Sequence, residues 1–256
     1  MKTTKDIRIA VLIDADNVPS TNIKAMLEEI AKYGTPTFRR IYGDWTKPNL
    51  NGWKNVLLES AITPIQQYGY TAGKNATDSA MIIDAMDILY SGKVDAFAIV
   101  SSDSDFTRLA TRLRESGMTV IGIGERKTPN PFIVSCDKFI YLEILATPVA
   151  ATVARVKVEL GKTERKIPAK VEALQKIDGE IINLLTNSIT DLADDSGWAF
   201  LGEVGNLIIK KKTDFDARNF GYGKLALLLK SVDRFEVDER ETEKKGSKLV
   251  YVRVKT

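Results

Sequence analysis

Over roughly the first 145 residues, short apolar runs alternate with segments of helical periodicity. Residues 9–13 (Ile-Ala-Val-Leu-Ile) read as a buried strand, and residues 22–33 as a helix with Ile23, Met26, Leu27 and Ile30 on one stripe. Residues 38–42 give the next strand, 53–60 a short helix, and 64–68 a strand weakened by Pro64. A helix is predicted over 77–90, a buried strand over 96–100, and a helix over 106–116 that stops at Gly117. Further strands follow at 120–123 and, as an edge, at 139–142. Such alternation predicts an α/β domain: a parallel sheet with helices on both faces.

The pattern changes at Ala146. Thr147-Pro148, an Ala/Val/Lys-rich stretch and Pro168 read as a tether. Helical periodicity returns over 177–188, 204–209 and 222–232, and residues 235–238 and 249–254 then alternate like a hairpin around Lys244-Lys245-Gly246-Ser247. Three helices and a hairpin are the order of a winged-helix module. The expected organisation is an α/β domain (1–145), a basic linker (146–176) and a smaller winged-helix-like α+β domain (177–256).

Composition narrows the chemistry. With 44% apolar and 28% charged residues, the 256-residue chain has the make-up of a soluble globular protein. No apolar stretch reaches the ~20 residues of a membrane span, and the charged N-terminus runs straight into a strand, so a cytoplasmic protein without signal peptide is expected. Cys136 is the single cysteine, which excludes an internal disulfide and a cysteine-rich zinc site. There is no histidine, so histidine-dependent nucleophile systems and histidine-ligated metals are excluded. Hard cations with oxygen ligands remain, magnesium and manganese first. Charge is balanced over 1–145, with 17 basic and 17 acidic residues, while 155–176 holds 7 basic and 3 acidic. That tract, with Lys162, Arg165 and Lys166 near its centre, suits a polyanion or is simply a solvated linker.

Two acidic clusters sit where buried strands end. Asp14-Ala15-Asp16-Asn17 follows the first strand, and Ser101-Ser102-Asp103-Ser104-Asp105 follows the strand at 96–100. Open α/β sheets bind ligands beyond the carboxyl ends of their strands. Asp78, opening a helix within Lys74-Asn75-Ala76-Thr77-Asp78, is the third contribution. Asp84 lies about 240° round that helix and ~9 Å along it, which assigns it a supporting place; Asp87 is expected in solvent. Gathered carboxylates repel and protonate unless a cation neutralises them, and such a cation activates water and aligns a phosphodiester. Alternatively, Ser102, Asp103 and Asp105 serve as caps of the following helix.

These residues resemble the NYN domain family, a PIN-like ribonuclease fold, in its LabA-like bacterial branch. The resemblance rests on Ile13-Asp14-Ala15-Asp16-Asn17, Ile41-Tyr42-Gly43-Asp44-Trp45, Lys74-Asn75-Ala76-Thr77-Asp78 through Asp84-Ala85-Met86, and Ile99-Val100-Ser101-Ser102-Asp103-Ser104-Asp105-Phe106, over residues 7–143. It implies magnesium- or manganese-dependent RNA cleavage, with Asp14, Asp78, Asp103 and Asp105 as catalytic, metal-binding carboxylates. Asn17 would position a ligand or water and Ser102 would contact phosphate, with Asp16, Lys74 and Asp84 supporting. The C-terminal part resembles the OST-HTH (LOTUS) domain through Ser196-Gly197-Trp198-Ala199, Leu201-Gly202-Glu203-Val204-Gly205, Phe215-Asp216-Ala217-Arg218-Asn219-Phe220-Gly221-Tyr222-Gly223-Lys224-Leu225 and Val250-Tyr251-Val252-Arg253. That family is linked to RNA or protein binding. Arg218, Asn219, Tyr222 and Lys224 offer a polar, aromatic surface for RNA, while Trp198 is expected in the core.

Three functions follow. The leading one is a metal-dependent endoribonuclease. Asp14-x-Asp16 also resembles the haloacid-dehalogenase-like phosphohydrolases, in which Asp14 would be the nucleophile, Asp16 the general acid, and Asp103 and Asp105 the magnesium ligands. The third is an RNA-binding regulatory adaptor without turnover.

Overall fold

A computed structural model describes residues 6–68, 76–146, 173, 175–241 and 248–255. Contacts divide the chain into two compact units at Ala146.

The first unit is built on strands β1 (Arg8–Asp14), β2 (Thr35–Gly43), β3 (Thr63–Gln66), β4 (Ala96–Val100), β5 (Thr119–Gly124) and β6 (Lys138–Tyr141). All pairs are parallel, in the order β3-β2-β1-β4-β5-β6. The two most uniformly apolar runs, β1 and β4, lie side by side at the centre and are almost wholly buried. From β1 the chain steps outward through β2 to β3, then returns to β4 on the other side of β1. The strand order therefore reverses between β1 and β4, which opens a crevice at their carboxyl ends.

Helices α1 (Ile23–Ile30) and α2 (Lys54–Glu59) make the outward crossovers, while α3 (Ala76–Tyr90), α4 (Thr107–Glu115) and α5 (Asn130–Ser135) carry the chain the other way. Right-handed crossovers put these two sets on opposite faces of the sheet. A last short helix, α6 (Leu142–Ala146), packs on α1. Residue 142, expected in a strand, thus begins a helix. Gly117 ends α4 with φ +80°, the left-handed conformation that suits glycine. Pro64 falls in the edge strand β3; Gln67 N–H donates to Gly43 O of β2 at 3.1 Å, so by alternation the donor that Pro64 lacks would have pointed to the open side.

Placement of α3 is fixed by a polar contact. Arg40 and the hydroxyl of buried Tyr42, both on β2, donate to the two carboxylate oxygens of Asp84, six residues after Asp78. Burial and the Asp84 charge together push the Tyr42 hydroxyl pKa well above its ordinary value.

The second unit contains α7 (Gly179–Thr190), β7 (Ala199–Phe200), α8 (Leu201–Lys211), a 3-10 turn (Ala217–Phe220), α9 (Leu225–Lys230), β8 (Phe235–Glu241) and β9 (Lys248–Val254). The strands form an antiparallel sheet ordered β7-β9-β8. Its core joins Ile181, Leu185 and Ile189 of α7 to Val204, Ile208, Leu228, Leu229 and Val252. The helix expected over 222–232 is present as the shorter α9, and the 3-10 turn at Ala217–Phe220 precedes it. The tether at 147–172 and the hairpin tip at 242–247 lie outside the described residues.

Asp84→Ala leaves the buried Tyr42 hydroxyl and Arg40 without their shared acceptor, at an expected cost of about 1–3 kcal/mol. Urea unfolding measures it, and Tyr42→Phe in the same background should recover part of the loss. An Asp84→Ala protein as stable as the parent would refute this role for the contact.

Candidate functional site

Register alone brings the two acidic segments together. Ile13 pairs with Val100, so Asp14 and Ser101 emerge side by side at the switch in strand order. Ser101 Oγ donates to Asp14 Oδ2 at 2.8 Å, and Asn17 Nδ2 donates to the same oxygen at 2.6 Å. The Asp16 N–H donates to Asp14 Oδ1 at 3.1 Å. Asp14 is 1% exposed, so it is a buried carboxylate with both oxygens bonded. Burial pushes its pKa up, opposed by the Asn17, Ser101 and Asp16 donors.

Three further carboxylates gather close enough to couple with Asp14 through Asp78. Asp78, Asp103 and Asp105 each offer one oxygen, and these oxygens lie within 4.8 Å of one another. Asp78 is carried in by the first turn of α3, which packs against β1, β2 and the 3-10 turn Ser104–Phe106. Asp103 also caps that turn, its Oδ1 accepting from the Asp105 N–H at 2.9 Å. The capping reading and the site reading are therefore compatible. The pKa of Asp78 is pushed up to about 6, first by burial and then by the charges of Asp14, Asp103, Asp105 and Asp16. Repulsion of this kind is what a bound cation relieves.

The other candidates separate clearly. Asp16 is exposed and Asn17 half-buried, both on the turn after β1. Ser102 points to the next loop, its Oγ accepting from the Glu125 N–H at 2.8 Å. Asp84 is engaged by Arg40 and Tyr42, which ties α3 to β2, while Asp87 is exposed as expected. Lys74, Lys162, Arg165 and Lys166 lie outside the described residues. Ser101 is the residue that the motif reading passed over. It donates to Asp14, and its Oγ accepts from the Asp103 N–H at 3.1 Å, which links the two acidic segments through one hydroxyl. Gly124 lies against it: a Cβ there would meet Ser101 O at 2.6 Å, so the end of β5 can approach so closely only as glycine.

In the second unit the expected RNA-contacting set is corrected. Asn219 is fully buried, with Nδ2 donating to Asp214 O at 2.9 Å. Arg218 is paired with Asp216 at 2.7 Å. Tyr222 packs against the core, which leaves Lys224 as the exposed member of the four. Trp198, expected in the core, is only half-buried and lies beside two guanidinium groups, those of Arg253 at 4.7 Å and Arg240 at 5.1 Å from the ring centre.

Because the folded-state pKa of Asp78 exceeds its unfolded value, the native state binds the extra proton between about pH 4 and pH 6. Stability contributed by this residue therefore falls as pH rises through that window, and the penalty is complete above it. In chelator, Asp78→Asn should melt a few degrees above the parent at pH 8, with the gap closing towards pH 4. Thermal denaturation across pH checks this; a gap independent of pH would contradict it.

Comparison with known proteins assigns the two units. The NYN domain family model matches residues 8–143, and the OST-HTH/LOTUS domain model matches residues 172–246. An uncharacterized protein of Methanocaldococcus jannaschii is 29% identical over 122 residues, covering 46% of this chain and 47% of that protein. The match thus spans about half the length of that curated relative. A Vibrio parahaemolyticus protein of unknown function is similar in structure at 21% identity and a TM-score of 0.46, covering 54% of this chain and 94% of that one. The solution structure of an uncharacterized Nitrosomonas europaea protein is 29% identical with a TM-score of 0.30, covering 39% of this chain and 93% of that one. No helix among the described residues is long and apolar enough to cross a membrane. The chain belongs to the NYN domain family, within the PIN-like nuclease superfamily, and carries an OST-HTH/LOTUS domain, an RNA-binding module, after it.

Proposed function

We propose that the protein is a divalent-metal-dependent ribonuclease that hydrolyses RNA phosphodiester bonds, with its C-terminal module supplying RNA affinity. The observation that carries this reading is the meeting of Asp78, Asp103 and Asp105 oxygens within 4.8 Å at the carboxyl ends of β1 and β4. Such a donor set suits a hard cation. It is all oxygen, and the Asp78 carboxyl is already raised to about 6, by burial first and then by the neighbouring carboxylates. Magnesium or manganese is the cation of choice, held by Asp78, Asp103 and Asp105. When bound it supplies positive charge for the phosphate oxygens and lowers the pKa of water.

The chain's own groups do the rest. Asp14 holds the Asp16–Asn17 turn on one side and Ser101 on the other, and its charge deepens the negative potential at the three ligands. In this role it positions the site and does not share the ligand position with Asp103, which is where the motif alone would put it. Ser101 fixes Asp103 through its backbone N–H. The phosphohydrolase reading fits less well. A nucleophilic Asp14 must present a free oxygen to phosphorus, whereas this carboxylate is 1% exposed and bonded at both oxygens.

The test is cleavage of labelled RNA and DNA with magnesium, manganese or chelator. Metal-dependent cleavage of RNA is expected in the parent and none in Asp103→Asn. Ser101→Ala should lose roughly 10–100-fold, as supporting groups of a metal site do. Undiminished metal-dependent cleavage by Asp103→Asn would refute the assignment. Hydrolysis of small phosphate monoesters without RNA cleavage would favour the phosphohydrolase, and RNA binding indifferent to chelator without turnover would favour the adaptor.

A further inference from the structure

The outer face of the C-terminal sheet is unusual in what it exposes. Val252 and Ala199 pair with each other and lie in the core, so their sequence neighbours project to the opposite face. There Phe200 pairs with Tyr251, their ring centres 5.9 Å apart, and Trp198 continues the alternation two residues before Phe200. None of the three rings is fully buried. Two arginines lie over them: Arg240 is 4.2 Å from the Tyr251 ring centre and 5.1 Å from that of Trp198, and Arg253 is 4.7 Å from that of Trp198. Arg240 is paired with Asp238 and also lies near the Asp194 charge, Arg253 is paired with Glu236, and all four side chains of these two ion pairs are more than 40% exposed. Ion pairs this exposed are weak and exchange readily.

We infer that this face, and not the loop at 218–224, is where the module binds single-stranded RNA, stacking unpaired bases on Trp198 and Tyr251 and taking phosphates on Arg240 and Arg253. Flat rings in contact with guanidinium planes are what unpaired bases stack on, and every base has such a face. A phosphate competes well for each arginine because the guanidinium fork bonds two of its oxygens at once. The OST-HTH/LOTUS match points to RNA as the occupant; the arginines share the face with Asp238 and Glu236, so recognition rests on the rings and on the exchange of exposed ion pairs for phosphate. The loop offers less, since Asn219 is buried and Arg218 is held by Asp216. The inference rests on the reading of the chain as an RNA-acting protein and adds to it a binding surface and a preference for unpaired strands.

The experiment uses the full chain carrying Asp103→Asn, in chelator, so that binding is measured without cleavage. Fluorescence anisotropy compares a labelled single-stranded oligoribonucleotide with the same sequence as a duplex. Single strands should bind more tightly. Trp198→Ala should weaken them by roughly tenfold or more, and Trp198→Phe, which keeps a ring, by less. Arg253→Ala should lower the salt dependence by about one unit of slope. Circular dichroism monitors folding, and Tyr251→Leu with Arg253→Ala carries the test if Trp198→Ala does not fold. Equal binding of duplex and single strand, or face variants that bind like the parent, overturns the inference. A parent that binds neither form overturns it together with the RNA reading, whereas RNA cleaved by the wild type but bound alike by all face variants overturns this inference alone.

Discussion

Burying the Asp14 carboxylate at the end of an otherwise apolar strand is costly, and the chain offsets the cost with three donors from three directions: Asn17, Ser101 and the Asp16 backbone. Those donors lie on the segments that must converge for a site to exist. Satisfying one buried charge therefore also joins the end of β1 to the end of β4. The same hydroxyl that serves Asp14 receives the Asp103 backbone, so the position of the clustered carboxylates depends on the buried one. A second anchor, Asp84 with Arg40 and Tyr42, fixes the helix that delivers Asp78. The cluster is left with like charges at close range, and its instability is a property of the arrangement.

The two units treat polar groups differently. In the first, exposed and half-buried acids converge on one crevice. In the second, ionic groups are mostly paired locally, as with Arg218 and Asp216 or Lys230 and Glu239, and the distinctive chemistry is aromatic. Under the proposed function this contrast is expected: metal-assisted hydrolysis needs concentrated charge, whereas holding a flexible polymer gains from broad contacts that tolerate sequence.

Much of this was legible in the residues. The buried strands at 9–13 and 96–100 were recognisable as unbroken apolar runs, and the acids directly after them marked the site before any geometry was known. The limits of legibility have physical causes. Helix α5 is six residues long and opens on a proline turn, too short to show a period. Strand β7 has two residues and exists only because β9 pairs with it. Asp14 and Asp103 carry equal charge in the sequence; only the fold makes one a buried acceptor and the other a half-buried member of the acidic cluster. Asn219 and Trp198 were misjudged for a related reason. Local chemistry suggested a polar surface residue and a core aromatic, but the turn folds Asn219 back onto Asp214 O five residues earlier, and arginines more than 40 residues further along the chain lie against Trp198.

Strand β3 is the rim of the six-stranded sheet, only four residues long, with Pro64 missing its donor on the side away from β2. A foreign strand seeking to extend the sheet there would find the hydrogen-bond ladder broken at its second rung. The residue that made this strand hard to read thus also blunts the edge as a template on which a further strand could pair.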